Sequence, residues 1–255
     1  MKSSVNERIS AREIDLGNGP VGCFCIHGFC GSTYEFQGLA EFLAEHEFRV
    51  KAPLLAGHGT SIEESNLVHA DDWLQEIEYH FAEFFLNCTS AFVIGLGMGA
   101  ALALHLAALF PLSGVVVMAP TFILSRHILP WYWKLIAPFN NSIPRKSSRA
   151  GQNDAPIPDD YGYSRYPTNG IRAMLKLNRY ISKELARVMS PALIMHSRDD
   201  PIVPFENAIL VANTINSEDK SLIAYGQFGH VLPDCPEKET VWTDILNFLT
   251  RDTSS

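Results

Sequence analysis

Ala91-Phe92-Val93-Ile94-Gly95-Leu96-Gly97-Met98-Gly99-Ala100-Ala101 is the stretch on which the reading of this chain turns. Ala91 to Ile94 is an apolar run that predicts a buried strand, and Ala100 to Leu109 is composed of strong helix formers. Between them Gly95, Gly97 and Gly99 alternate with Leu96 and Met98. A strand that turns sharply into a helix leaves no room for a Cβ where the two pass close, and glycine meets that demand. The spacing therefore predicts strand, tight turn and helix, with Gly97 at the apex.

Outward from this unit, no Asp, Glu, Lys or Arg occurs from Cys88 to Ser125. Gly95 and Gly99 even match the small-xxx-small pattern of membrane helix pairs. Gly97, His105 and Pro111 break the run, however, and its β-rich ends flank an Ala/Leu-rich middle. A buried strand–helix–strand unit fits this better than a membrane span. Val21 to His27, Phe48 to Pro53 and Gly114 to Ala119 are further apolar strands. Thr33 to Glu45 carries Phe36, Leu39, Ala40 and Leu43 at helical spacing, and a second helix begins at Asp71 and Asp72 with acids suited to its first turn. Such alternation predicts an α/β fold, a mostly parallel doubly wound sheet with helices on both faces. The rhythm resumes later with a helix from Ile171 to Leu185 and a strand from Ala192 to His196. A helix from Phe205 to Ile215, a strand from Ser221 to Tyr225 and a closing helix from Glu237 to Thr250 complete it.

From Thr121 to Asn169 the rhythm fails. The segment is rich in Pro, Trp, Tyr, Ser and Asn, yet too apolar for a solvated linker, with Phe122, Ile128, Trp131, Trp133 and Ile136 among its residues. We expect a cap inserted in a single domain spanning 1–255 and packed over a site, or alternatively a homodimer contact.

The chain has 255 residues, 47% apolar and 19% charged, ordinary for one soluble domain. Its formal net charge of −8 argues against nucleic acid or an anionic membrane surface as partner. Met1 to Asp15 lacks an apolar leader region, so a cytoplasmic protein is expected. Cys23, Cys25, Cys30, Cys88 and Cys235 are odd in number and irregularly spaced, which favours reduced, buried thiols, with Cys23 and Cys25 on one strand face. No pattern of metal ligands occurs, and no metal or cofactor is expected.

Three loops carry candidate chemistry. Asp200 lies in His196-Ser197-Arg198-Asp199-Asp200-Pro201, directly after a strand, and is favoured over Asp199 by its place in the loop. His230 lies in Phe228-Gly229-His230-Val231, after the last strand. Backbone amides at Phe29 and Met98 follow the first apolar strand and the glycine turn, with Gly28 and the flanking glycines permitting close approach to a ligand. An acid, a histidine and two amide donors are three of the four parts that nucleophilic acyl transfer requires. The fourth, a nucleophile at the turn, would stand at position 97.

With these motifs the chain resembles the bacterial carboxylesterase and monoacylglycerol lipase branch of the α/β-hydrolases. His27-Gly28-Phe29-Cys30-Gly31-Ser32, Leu55-Ala56-Gly57-His58-Gly59, Gly95-Leu96-Gly97-Met98-Gly99, His196 to Asp200 with Ile202-Val203-Pro204, and Gly229-His230-Val231 carry the resemblance. It implies an α/β-hydrolase fold, hydrolysis of short- to medium-chain acyl esters, an oxyanion hole at Phe29 and Met98, and an apolar acyl site. We place Gly28, Cys30, Phe122, Trp131, Val203 and Val231 as substrate contacts. The family's turn is G-x-S-x-G, whereas here its centre is Gly97. Two origins fit: engineered removal of the serine, or a natural pseudo-enzyme that keeps the pocket for binding. A third course keeps catalysis, with His230 and Asp200 activating water. Cys30 is a poor substitute nucleophile, since nothing in its surroundings lowers a thiol pKa.

Overall fold

The computed structural model describes residues 11–125, 128–129, 133, 140–145 and 162–251. Its main sheet has the strand order β1-β3-β2-β4-β5-β8-β9. These strands are β1 (Ile14–Leu16), β2 (Val21–Ile26), β3 (Arg49–Ala52), β4 (Ser90–Leu96), β5 (Gly114–Met118), β8 (Ala192–Ser197) and β9 (Lys220–Tyr225). Only β1 is antiparallel to its neighbour; the other pairs are parallel. Between β5 and β8 the inserted segment forms a two-stranded antiparallel ribbon, β6 (Ser142–Pro144) with β7 (Arg165–Pro167).

Strand alternation assigns the core to two layers. Phe24, Ile26, Val93, Val115, Val117 and Ile194 point to one face. There they pack with α3 (Ala70–Phe85), α4 (Met98–Leu109) and α5 (Thr168–Ile181). Cys23, Cys25, Ile94, Val116, Met118 and Met195 point to the other, against α1 (Gln37–Glu45) and α7 (Lys238–Thr250). Cys23 and Cys25 thus share a face and are fully buried, and all five cysteines are free. Among the described residues no helix is long and apolar enough to cross a membrane.

Three details differ from the expectation. The helix foreseen from Thr33 opens as a 3-10 turn, Thr33–Phe36, started by the Ser32 hydroxyl accepting from Tyr34 N. The strand Ile14–Leu16 lies within a stretch too short and polar to announce itself. The ribbon within the cap segment shows only Ile143, Tyr166 and Pro167 buried, which leaves no run for a sequence pattern to catch.

Where β4 meets α4, backbone packs on backbone with no room for side chains. A Cβ on Gly95 would fall 2.2 Å from Gly99 O, and one on Gly99 would fall 2.0 Å from Ile26 O at the end of β2. Both obstacles are backbone and cannot swing aside. Alanine at position 99 should therefore lower stability by more than about 2 kcal/mol despite its better helix propensity. Urea denaturation checks this; an unchanged midpoint would contradict it.

Candidate active site

Gly97 is the residue before α4, with φ +59° and ψ −113°. Its amide donates to Met118 O at 2.9 Å, tying the turn to the end of β5. Because glycine has no Cβ, this sparsely populated conformation carries little strain. A Cβ at this position would lie 3.3 Å from His230 Nε2 and 3.5 Å from Thr121 Oγ1.

His230, in the loop after β9, meets Asp200, in the loop after β8, through Nδ1 to Oδ2 at 2.7 Å. An ionised carboxylate only accepts, so Nδ1 carries the proton and Nε2 faces Gly97 with its lone pair. The Asp200 side chain is fully buried, and its Oδ1 accepts from Ile202 N at 2.8 Å and Val203 N at 2.9 Å. His196 Nε2 stands 3.4 Å from Oδ2. Burial alone would raise the Asp200 pKa. The neighbouring His230 and the hydrogen bonds from His196, His230 and Val203 outweigh it, holding the carboxyl well below the usual range. Asp199 does a different job: its Oδ1 accepts from Ser197 Oγ and from Gly229 N at 3.4 Å, joining the acid loop to the histidine loop.

Two histidines fix the loop after β2. His58 Nε2 accepts from Cys30 N at 3.2 Å, and His27 Nε2 accepts from Leu55 N at 3.1 Å. Each Nδ1 faces a carbonyl, Gly28 O at 3.0 Å for His27 and Ala56 O at 3.1 Å for His58, so both rings are neutral with the proton on Nδ1. Glu35, buried, accepts from Gly28 N at 2.8 Å. With the amides of Gly28 and Cys30 committed, Phe29 N has no acceptor among the described residues. Met98 N opens α4 and has no helical acceptor one turn back. Residues of the inserted segment pack on this loop. Arg145 Nη1 donates to Cys30 O at 2.7 Å, and the Tyr166 ring stacks on Phe29 with centroids 6.2 Å apart.

The cavity above Gly97 is lined by Phe29, Met98, Thr121 and His230, with an apolar wall that includes Leu124, Ile128, Ile171 and Met174. Other expected contacts stand behind this wall. Cys30 and Val203 are fully buried in the cluster beneath the cap. Burial raises the Cys30 thiol to about 12, so it is no nucleophile. Gly28 faces Glu35, Phe122 packs on the core of one sheet face, and Val231 belongs to the core of the other. Trp131 lies outside the described residues. Thr121, Tyr166, His27 and His58 were not singled out from sequence, although the histidines stood in motifs noted there. Among the described residues no cluster of three or more His, Cys, Asp or Glu is arranged to hold a metal.

Burial lowers His27 to about 4, and burial together with the neighbouring His27 ring lowers His58 to about 3. The unfolded chain takes up these protons below the ordinary value of 6.5, while the folded chain excludes them. Their contribution is therefore complete above that value and shrinks as pH falls toward about 4. Urea midpoints should drop between neutral and mildly acid pH, less steeply in a His58→Gln variant; equal slopes would contradict this.

Comparison with known proteins agrees with this architecture. Residues 22–234 match the family model described as serine aminopeptidase, S33. A thermostable monoacylglycerol lipase of Bacillus sp. (strain H-257) is 30% identical over 217 residues, covering 84% of each chain. A carboxylesterase of Bacillus subtilis (strain 168) is 26% identical and covers 95% of this chain and 98% of its own. Among solved structures, one reported for two metagenome-derived lipolytic enzymes superposes with a TM-score of 0.82 at 27% identity, covering 94% of this chain and 98% of that one. The chain belongs to the serine aminopeptidase S33 family of hydrolases and has the α/β-hydrolase fold.

Proposed function

We propose that this chain carries the acyl-binding pocket and proton-transfer pair of a carboxylic ester hydrolase, acting on short- to medium-chain acyl esters, with the attacking side chain absent at Gly97. One observation carries this assignment: His230, held by Asp200 at 2.7 Å, aims Nε2 at the spot where a Cβ on residue 97 would stand, 3.3 Å away. A seryl hydroxyl there would hydrogen-bond to the imidazole once the ring gave way by a few tenths of an ångström. The donors at Phe29 N and Met98 N would receive the oxyanion, and the apolar wall would take the acyl chain. Its relatives that carry the names carboxylesterase and monoacylglycerol lipase support the same class.

Without the hydroxyl the acyl-enzyme route is closed. Removing the nucleophile of a triad leaves roughly 10³–10⁴-fold catalysis over water, supplied by binding and the oxyanion donors. The chain as written therefore binds esters and turns them over slowly.

Replacing Gly97→Ser should raise kcat/KM for p-nitrophenyl butyrate by at least about 10²-fold. Adding His230→Ala should remove the gain. The serine variant should also lose about 1–3 kcal/mol of stability, since an L-residue must now adopt the left-handed φ. An inert serine variant would overturn the esterase assignment. Saturable thermal stabilisation by acyl compounds, without turnover in either form, would then point to a binding protein.

A further inference from the structure

Thr121 is a polar side chain lining the cavity that neither the acid–histidine pair nor the oxyanion donors use. It follows β5, at the same carboxyl edge of the sheet as Gly97, Asp200 and His230. Its residue is 5% exposed, and its Oγ1 lies 3.5 Å from a Cβ placed on Gly97, beside His230 Nε2 at 3.3 Å from that point. The two polar atoms therefore flank the space that a side chain at position 97 would occupy.

The backbone around Thr121 is pinned. Its carbonyl accepts from Asn178 Nδ2, and the next two amides, Phe122 N and Ile123 N, donate to Asn207 Oδ1 at 2.9 and 2.7 Å. A β-branched residue on a fixed backbone has few rotamers, so its hydroxyl is fixed as well. The hydroxyl donates to Ala119 O at 3.4 Å, which leaves its lone pairs free to accept. An oxygen-bound hydrogen directed at Thr121 Oγ1 and another directed at His230 Nε2 describe a water molecule with two protein acceptors.

We propose that Thr121 and His230 together hold and activate a water that attacks the ester directly, so that the slow hydrolysis by this chain is a single displacement with no acyl-enzyme. This rests on the esterase assignment above. The water oxygen bonds to the acyl carbon as its proton passes to His230 Nε2. The carbonyl electron pair moves onto oxygen, held by the Phe29 and Met98 amides. As the tetrahedral species collapses, the carbon–oxygen bond to the alcohol breaks and His230 returns the proton to the leaving oxygen. The products are a carboxylic acid and an alcohol, with the imidazole neutral again.

Steady-state hydrolysis of p-nitrophenyl butyrate by the otherwise unaltered chain, corrected for buffer, tests this. His230→Ala should abolish the residual turnover. Thr121→Val, which removes the hydroxyl and keeps the shape, should lower kcat about 10-fold with little change in KM, whereas Thr121→Ser should retain most of it. Intact-mass spectra taken during turnover should show no acyl adduct, and product should form without a burst. Equal rates for Thr121→Val and the parent, or an adduct on Thr121, would overturn the water-holding role. Activity in the Gly97→Ser variant alongside either result would leave the esterase assignment standing. If that variant and the parent were both inert, the two would fall together.

Discussion

Everything at this site depends on how closely β4, its turn and α4 pass the end of β2. Gly99 packs against Ile26 O and Gly95 against Gly99 O at distances that admit no side chain. Between these contacts the turn has a positive φ at position 97, and α4 begins at Met98, which lines the cavity. Strain that an L-residue would store there is absent with glycine. Backbone packing thus fixes the place where, on the proposed function, an attacking group would stand.

Parallel strand order does the rest. Because β2, β4, β5, β8 and β9 run the same way, their carboxyl ends share one edge. The loops leaving that edge deliver Phe29, Gly97, Thr121, Asp200 and His230 from segments far apart in the chain. Each loop is separately fixed: the first by the crossed bonds of His27 and His58, the β5 loop by Asn178 and Asn207, the acid loop by its own amides on Asp200. Burial of the two neutral histidines makes this fixing sensitive to acid. Arg145 and Tyr166 of the inserted segment add contacts to the first loop, at Cys30 O and the Phe29 ring.

Much of this was legible in the residues. Continuous apolar strands such as Gly114–Met118 announce a sheet covered on both faces, and Asp200 and His230 stood out through their order after late strands. Other parts carried no signal. Thr121 is one hydroxyl after a proline, with no periodicity to mark it. The His27–Leu55 and His58–Cys30 bonds pair residues 28 apart through loop conformation, which no pattern encodes. Cys30 and Val203 sit in the right loops yet are buried in a cluster of the core and do not line the cavity, because proximity in sequence does not set which residues reach a pocket where the backbone turns, as at Cys30 with φ +59°. The pocket wall comes from α5 and the cap, whose irregular composition hid which apolar residues face inward.

On the proposed function, position 97 lies where an oriented imidazole meets an oxyanion pocket. Intact-mass analysis after treatment with an alkyl fluorophosphonate tests it most directly. The Gly97→Ser variant should gain one adduct per chain, mapped to position 97, while the parent gains none there. No adduct at that position in a folded serine variant would contradict the account.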